Sequence, residues 1–190
     1  MRGRPRFFLA LFACAATWAL TLAGQAAAAG TITFSSGPGT GAPPPTLGPY
    51  RMTALPADTT AEFTDVASVA APNDKTIAFA PLLDVRDVGS GWLTWSNGYA
   101  GKVYYSNGSL SVTLTLPANT RAFYLYAEPN PFAVFSVSAT AQDGTTSGPV
   151  PVDGDYGASY FGFYATGTEK IASVRVSSSI DFAIGEFGIN

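Results

Sequence analysis

The sequence contains no histidine, and its single cysteine, Cys14, lies near the N-terminus. Histidine is the commonest metal ligand and the usual general base near neutral pH, so its absence excludes Ser-His-Asp, Cys-His and histidine–zinc mechanisms. If the N-terminal segment is removed, no thiol remains for a disulfide or a thiolate metal site. Chemistry in the remaining chain must rely on carboxylates, hydroxyls, amines and aromatic rings.

The first 29 residues lack acidic side chains and have the three-part plan of a secretory signal peptide. Three arginines precede an apolar run from Phe7 to about Ala23, and small residues follow up to Gly30. We expect cleavage after Ala28 or Ala29, which leaves residues 30–190 as one domain. An uncleaved membrane anchor is the alternative. Lipidation at Cys14 is disfavoured because Phe12 is too bulky for a lipoprotein motif.

Basic residues are scarce in the expected mature chain. The N-terminal segment holds three of the ten basic residues and none of the thirteen acidic ones, so seven remain against thirteen, a charge of −6. Such a surface disfavours nucleic acid and anionic membranes, whose phosphates it would not neutralise. It is compatible with neutral sugars and with cations. We therefore expect a secreted, extracellular protein that is periplasmic only in transit and has no membrane contact after cleavage.

Helical periodicity is absent after residue 30, and apolar residues alternate with polar ones instead. In SLSVTLTL (109–116), the leucines and the valine fall on one face and the serines and threonines on the other, which is typical of a half-buried strand. Turn sequences such as SNG and QDGTT separate such segments. The pattern predicts an all-β, antiparallel β-sandwich of jelly-roll type. The other predicted strands are 31–34, 61–70, 75–82, 91–96, 102–106, 121–128, 131–142, 158–165, 170–178 and 180–189.

One segment of the expected domain cannot form regular structure. Residues 35–49, SSGPGTGAPPPTLGP, contain three consecutive prolines and frequent glycine. We interpret them as a Pro/Gly-rich loop or linker after the first strand, and a surface loop that crosses between sheets is the simpler reading.

Three segments, AFYLYAEPNPFAVFSVSATAQDG (122–144), YFGFYATGTEKIASVRVSS (160–178) and DFAIGEFGI (181–189), carry a family resemblance. They resemble the ectodomains of secreted bacterial proteins that often carry a PEP-CTERM sorting tail. The resemblance covers roughly the C-terminal half and implies a jelly-roll-like sandwich in an extracellular setting, with no catalytic residues to carry over. The sequence stops at FGIN without a Pro-Glu-Pro motif, so we expect simple release and not sorting by that route.

The stretch GWLTWSNGYAGKVYYSNGS (91–109) is rich in aromatic residues and in Asn-Gly turns. If 91–96 and 102–106 are paired strands, Trp92 and Tyr104 share an exposed face beside the loop that presents Tyr99. Leu93, Val103 and Tyr105 would then face the core. Such a platform suits sugar rings, and we take Trp92, Tyr99 and Tyr104 as candidate ligand-binding residues. Ordinary packing under a covering loop is the alternative.

Two aspartates, Asp153 and Asp155, lie in the loop DGDYG and form a candidate calcium site, because calcium accepts carboxylate and carbonyl oxygens with flexible geometry. Asp181 with Glu186 is a second candidate pair. Solvated turn residues are the alternative in both cases. No other cofactor is expected.

The glutamates Glu62, Glu128, Glu169 and Glu186 offer no obvious catalytic pair. Glu128 lies at a predicted strand end and Glu169 beside a turn, and neither has an acidic neighbour in sequence. A glycosidase needs two facing carboxyl groups. The sequence therefore predicts no enzyme. It predicts a secreted, non-catalytic sandwich that binds carbohydrate or a matrix component through exposed aromatics. A structural or assembly protein of the envelope or matrix is the alternative, ahead of a carboxylate-based glycosidase or lyase.

Overall fold

The computed structural model describes residues 30–190, and every regular element in that range is a β-strand. The predicted signal peptide, 1–29, lies outside the described residues. No helix in the described range could cross a membrane. The strands are β1 (Ile32–Ser35), β2 (Thr46–Leu47), β3 (Tyr50–Arg51), β4 (Thr53–Ala54), β5 (Asp65–Ala71), β6 (Lys75–Asp87), β7 (Lys102–Tyr105), β8 (Ser111–Thr115), β9 (Ala122–Pro129), β10 (Val134–Ala141), β11 (Val150–Asp153), β12 (Ser159–Ala165), β13 (Ser173–Ser178) and β14 (Phe182–Ile189).

Twelve of these strands form one antiparallel sheet that folds over onto itself. Its main path runs β1-β12-β9-β14-β7-β6-β8-β13-β10-β11, while β4 pairs with β14 and β5 with β6. Strand β9 contacts β10 and β11, although five strands lie between β9 and β10 along the path. The two halves of the sheet therefore pack face to face. This confirms the predicted all-β, antiparallel sandwich class.

The long strand β6 belongs to both layers. Residues 78–80 pair with β8, and residues 84–87 pair with β7. We call β1, β12, β9, β14 and β7 the first layer, and β5, β8, β13, β10 and β11 the second layer. The core lies between the layers. On β8, Val112 and Leu114 are buried as the alternation predicts, whereas Leu110 precedes the strand and is exposed.

Strand β9 is buried on both faces, which simple alternation does not predict. Phe123 and Leu125 join the core, while Tyr124 and Tyr126 lie on the opposite face of the first layer under a cover of loops. The Tyr126 hydroxyl donates to the carbonyl of Gly41 at 2.6 Å. The covering loops therefore bury the outer face of the first layer as well, and this second buried region is rich in aromatic residues.

The Pro/Gly-rich segment 35–49 forms part of that cover. Apart from Ser35 at the end of β1 and the two-residue strand β2, it is irregular as predicted, and Leu47 is buried. Gly37 and Gly48 both have positive φ. A Cβ there would lie 2.4 Å from the ring of Tyr160 at Gly37 and 2.5 Å from the ring of Tyr164 at Gly48. Glycine at these positions lets the chain turn and lie flat on the aromatic rings.

Most predicted strands match observed ones within a few residues, and two differences matter for the site. Residues 91–96 form no strand, because Trp92 makes only an isolated bridge to Val88. Strand β11 was not predicted, since its proline and single buried valine show little alternation.

Candidate functional site

Trp92 does not stand on an exposed face. It is 7% exposed, and its ring centroid lies 5.6 Å from that of Tyr105 in a cluster with Val103 and Ala183. Leu93, predicted to face the core, is 67% exposed. Both predictions are wrong for the same reason. The segment turns instead of extending, so the indole folds onto the outer side of the first layer.

Tyr104 is also buried, and the predicted orientation of β7 is reversed. The Tyr104 ring lies between the layers, 5.1 Å from Phe79 and 5.7 Å from Phe187 between centroids. Val103 and Tyr105 lie on the opposite side with Trp92. The sequence could not show that both faces of this strand are covered. Trp92 and Tyr104 therefore do not form the predicted platform.

Tyr99 is half-buried, and its hydroxyl donates to the carbonyl of Lys102 at 2.9 Å. It shares a cavity with Tyr104, whereas Trp92 does not line that cavity. The structure thus brings together two of the three aromatic residues predicted to bind a ligand, inside a cavity and not on a surface.

This cavity lies at a gap along one edge of β14. That edge pairs with β7 as far as Gly185 and with β4 from Gly188 onward, which leaves Glu186 and Phe187 between the two partners. The cavity has a volume of about 540 Å³, within the range of small-molecule sites. It opens to solvent, because several lining residues are themselves exposed. These are Ala54, Pro56, Ala57 and Ala100.

Glu186 lines the cavity from a β-bulge. The pairing of β14 with β9 shifts register between Gly185 and Gly188, and Glu186 has a φ of 49°. Positive φ is uncommon for a residue with a side chain, and bulges re-aim side chains. The Trp95 indole N–H and the Asn97 amide donate to Glu186 Oε2 at 3.0 and 3.1 Å. Burial raises the pKa of Glu186, and these two hydrogen bonds offset only part of that effect.

Asp58 lines the same cavity from the segment between β4 and β5. Its Oδ1 accepts from the Thr60 amide at 2.9 Å and the Thr60 hydroxyl at 2.6 Å, and its Oδ2 accepts from the Tyr104 hydroxyl at 2.8 Å. Burial alone would raise the pKa of Asp58. The bonds from Thr60 and Tyr104, with the positive charge of Lys102, lower it overall. Asp58 is therefore a fixed, ionised acceptor at neutral pH.

The rest of the wall is mainly aromatic and apolar. Tyr99 and Tyr124 remain neutral phenols, since burial and the charge of Glu186 raise the pKa of each to about 12. Lys102 is paired with Asp87, its Nζ lying 2.7 Å from a carboxylate oxygen. The cavity thus combines phenol rings, two oriented carboxyl groups and one neutralised ion pair.

Sequence reasoning missed Asp58 and did not place Glu186 in this site. Asp58 lies in a segment without periodicity, and its partner Tyr104 is 46 residues away. The one available signal was the sequence FAIGEFGI, where a charged residue follows glycine inside an apolar strand. Such an interruption is typical of a bulge.

The candidate calcium residues form a turn. Asp153 Oδ1 accepts from the Asp155 amide at 3.1 Å, and the Asp153 carbonyl accepts from Tyr156 and Gly157. Within residues 30–190, no three acidic side chains are grouped to hold a metal ion. Asp181 and Glu186 have separate partners, since Asp181 accepts from the Tyr105 hydroxyl. Calcium at Asp153 and Asp155 stays a prediction.

Glu128 is a buried carboxyl group outside the cavity lining. It is 1% exposed, the Thr94 hydroxyl contacts its Oε1, and Oε2 has no hydrogen-bond partner among the described residues. Burial raises the pKa of Glu128 to about 7. It follows Tyr124 and Tyr126 at two-residue spacing, so it lies on the covered outer face of β9.

Comparison with known proteins finds no matching family model and no matching curated protein. Among solved structures, the enzymatically active domain of tailspike protein 4 from bacteriophage CBA120 aligns with a TM-score of 0.21 and 15% identity. The alignment covers 85% of this chain and 19% of the tailspike chain. The site must therefore be interpreted from its own geometry.

Proposed function

We propose that this protein binds carbohydrate in the cavity at the open edge of β14. The observation that carries the proposal is the cavity of about 540 Å³, open to solvent, whose wall includes three tyrosines and the acidic residues Asp58 and Glu186. Sugar rings present C–H faces that pack on aromatic rings, and their hydroxyls are donors to carboxylates. The lining supplies both kinds of contact.

Each residue of the site has a distinct role in this proposal. Tyr99 offers ring surface to the sugar, and Tyr124, which is only 3% exposed, contributes to the cavity wall. Asp58 and Glu186 accept hydrogen bonds from the sugar hydroxyls. Tyr104 acts chiefly by holding Asp58 in place. Secretion remains part of the proposal, and its support is the signal-peptide plan of the sequence 1–29.

Replacement of Tyr99 tests the proposal. We expect Tyr99→Ala to weaken retention on a bound polysaccharide roughly fivefold to tenfold, which corresponds to the ~1–1.4 kcal/mol of an aromatic contact. Affinity electrophoresis through gels that contain single glycans measures this directly. Because Tyr99 is half-buried and its hydroxyl donates to the Lys102 carbonyl, melting temperatures are compared so that weaker retention is not confused with loss of the fold.

Tyr156→Ala is the matched control, since Tyr156 is 80% exposed and lies outside the cavity. It should leave retention unchanged. Equal retention of Tyr99→Ala and wild type, or no retention of wild type on any glycan, would count against the proposal. Substitution of Trp92 or Tyr104 is unsuitable here, because both are buried and their loss would lower stability.

A further inference from the structure

The carboxyl groups of the cavity lack a basic partner. Lys102 is the one basic residue among the described lining residues, and its ammonium is already paired with Asp87 at 2.7 Å. Asp58 and Glu186 therefore face the cavity without a lysine or arginine of their own. A buried carboxyl group is ordinarily paired with a cation or takes up a proton. The cavity is the space in which a cationic partner for Asp58 and Glu186 would lie.

The groups that orient the two carboxyl groups are all neutral. Thr60 and Tyr104 donate to Asp58, and Trp95 and Asn97 donate to Glu186. Both donors to Glu186 bind Oε2, and Oε1 has no hydrogen-bond partner within residues 30–190. The arrangement fixes the direction of each acceptor without a hydrogen bond from a lysine or arginine, although the charge of Lys102 also acts on Asp58.

The aromatic wall also favours a positive charge. Tyr99, Tyr104 and Tyr124 line the cavity, and Tyr99 is the most exposed of the three. The face of a phenol ring attracts an ammonium group. A neutral ligand would use the rings only as packing surface. A cation uses the rings and the carboxylates together.

We propose that the cavity recognises an amino sugar with a free amino group, whose ammonium lies between Asp58 and Glu186 while its ring packs on Tyr99. This inference rests on the proposed carbohydrate binding and names its substrate class. The size of the cavity favours a sugar residue over a bare amine, because a small amine would leave most of the 540 Å³ and the tyrosine surface unused.

The ionisation of Glu186 gives a second measurable consequence, a dependence of ligand affinity on pH. Its pKa is raised by burial, so an ammonium ligand must compete with its proton and affinity should increase as Glu186 ionises. The nearby phenols and the second carboxyl group keep one charge state as Glu186 ionises. Tyr99, Tyr124 and Tyr126 stay neutral phenols, and Asp58 is ionised.

Calorimetric titration with four probes tests the inference. The probes are a glucosamine hexamer, an N-acetylglucosamine hexamer, cellohexaose and a lysine pentapeptide. We expect the glucosamine hexamer to bind at least tenfold more tightly than the others, with affinity that falls as salt increases. Its affinity should also increase with pH until the ligand's own ammonium loses its proton.

Asp58→Asn and Glu186→Gln should remove the preference for the free amine, and Glu186→Gln should also remove the increase of affinity with pH. Asp74→Asn is the matched control, because Asp74 is an exposed acid in the β5–β6 turn and asparagine accepts its positive φ. It should bind like wild type. Melting temperatures identify any variant that has failed to fold.

The outcomes separate this inference from the proposed function. Equal binding of neutral and amino hexamers overturns the inference and leaves carbohydrate binding intact. Equal binding of the lysine pentapeptide overturns the assignment to a sugar. If no hexamer binds, both the inference and the proposed function fall.

Discussion

Glu128 is a residue whose environment has a measurable consequence for stability. It is 1% exposed, one of its carboxyl oxygens has no hydrogen-bond partner among the described residues, and its pKa is raised to about 7. In the unfolded chain the same group titrates near 4.5. Between these two values the folded protein holds a proton that the unfolded chain has released, so stability decreases as pH increases.

We therefore expect the free energy of unfolding to fall between about pH 4.5 and pH 7 and to level off above that. The contribution of Glu128 to this fall is about 3 kcal/mol. Urea denaturation at pH 5 and at pH 8 measures the difference.

Glu128→Gln provides the comparison, since it keeps the shape of the side chain and cannot ionise. In this variant, the free energy of unfolding should differ much less between pH 5 and pH 8 than it does in wild type. Part of the remaining difference comes from Glu186, because burial raises its pKa too. A variant with the full wild-type pH dependence would show that Glu128 is not the group responsible.

At the same scale, the aromatic residues show which property of a side chain the sequence could not predict. Tyr99 lines the cavity and stays a predicted ligand-binding residue, whereas Trp92 and Tyr104 were assigned to an exposed face and are buried. Alternation tells which residues share a face of a strand. It does not tell whether the second face meets water or a covering loop, because that depends on segments distant in sequence.

At the scale of the element, strand β14 creates the site. Its bulge at Glu186 and the change of partner from β7 to β4 open the cavity. Gly188 is needed on the same strand, because a Cβ there would lie 2.2 Å from a ring carbon of Tyr124. The ring of Tyr124 lies against the strand only while position 188 has no side chain.

Gly188→Ala should lower the free energy of unfolding by about 1–3 kcal/mol, since the added methyl group overpacks the contact with Tyr124. Chemical denaturation of the single and double variants with Tyr124→Ala measures the coupling. In the Tyr124→Ala background, Gly188→Ala should cost little stability, because the ring that the methyl group would overlap is absent. Effects that add within about 0.5 kcal/mol would contradict the proposed contact.

At the scale of the whole molecule, two-residue alternation was enough to predict the fold class and most strands. It could not predict the strand order, because pairs such as β9 with β14 and β6 with β8 join segments far apart in the chain. Nor could it predict the cavity. Its wall combines residues as distant as Asp58, Tyr99 and Glu186, which come together only after the sheet has closed.

The central claim is that this cavity is the ligand site, and mapping of chemical shifts in the folded protein tests it most directly. In a ¹⁵N–¹H spectrum titrated with the glucosamine hexamer, we predict that the amides of Asp58, Ala100 and Lys102 will shift. The Trp95 indole N–H, which is bound to Glu186, should shift with them, while the buried Trp92 indole should not. The account would be contradicted if chemical shifts changed only on other surfaces. It would also be contradicted if no chemical shift changed at saturating concentrations of the glucosamine hexamer and of cellohexaose.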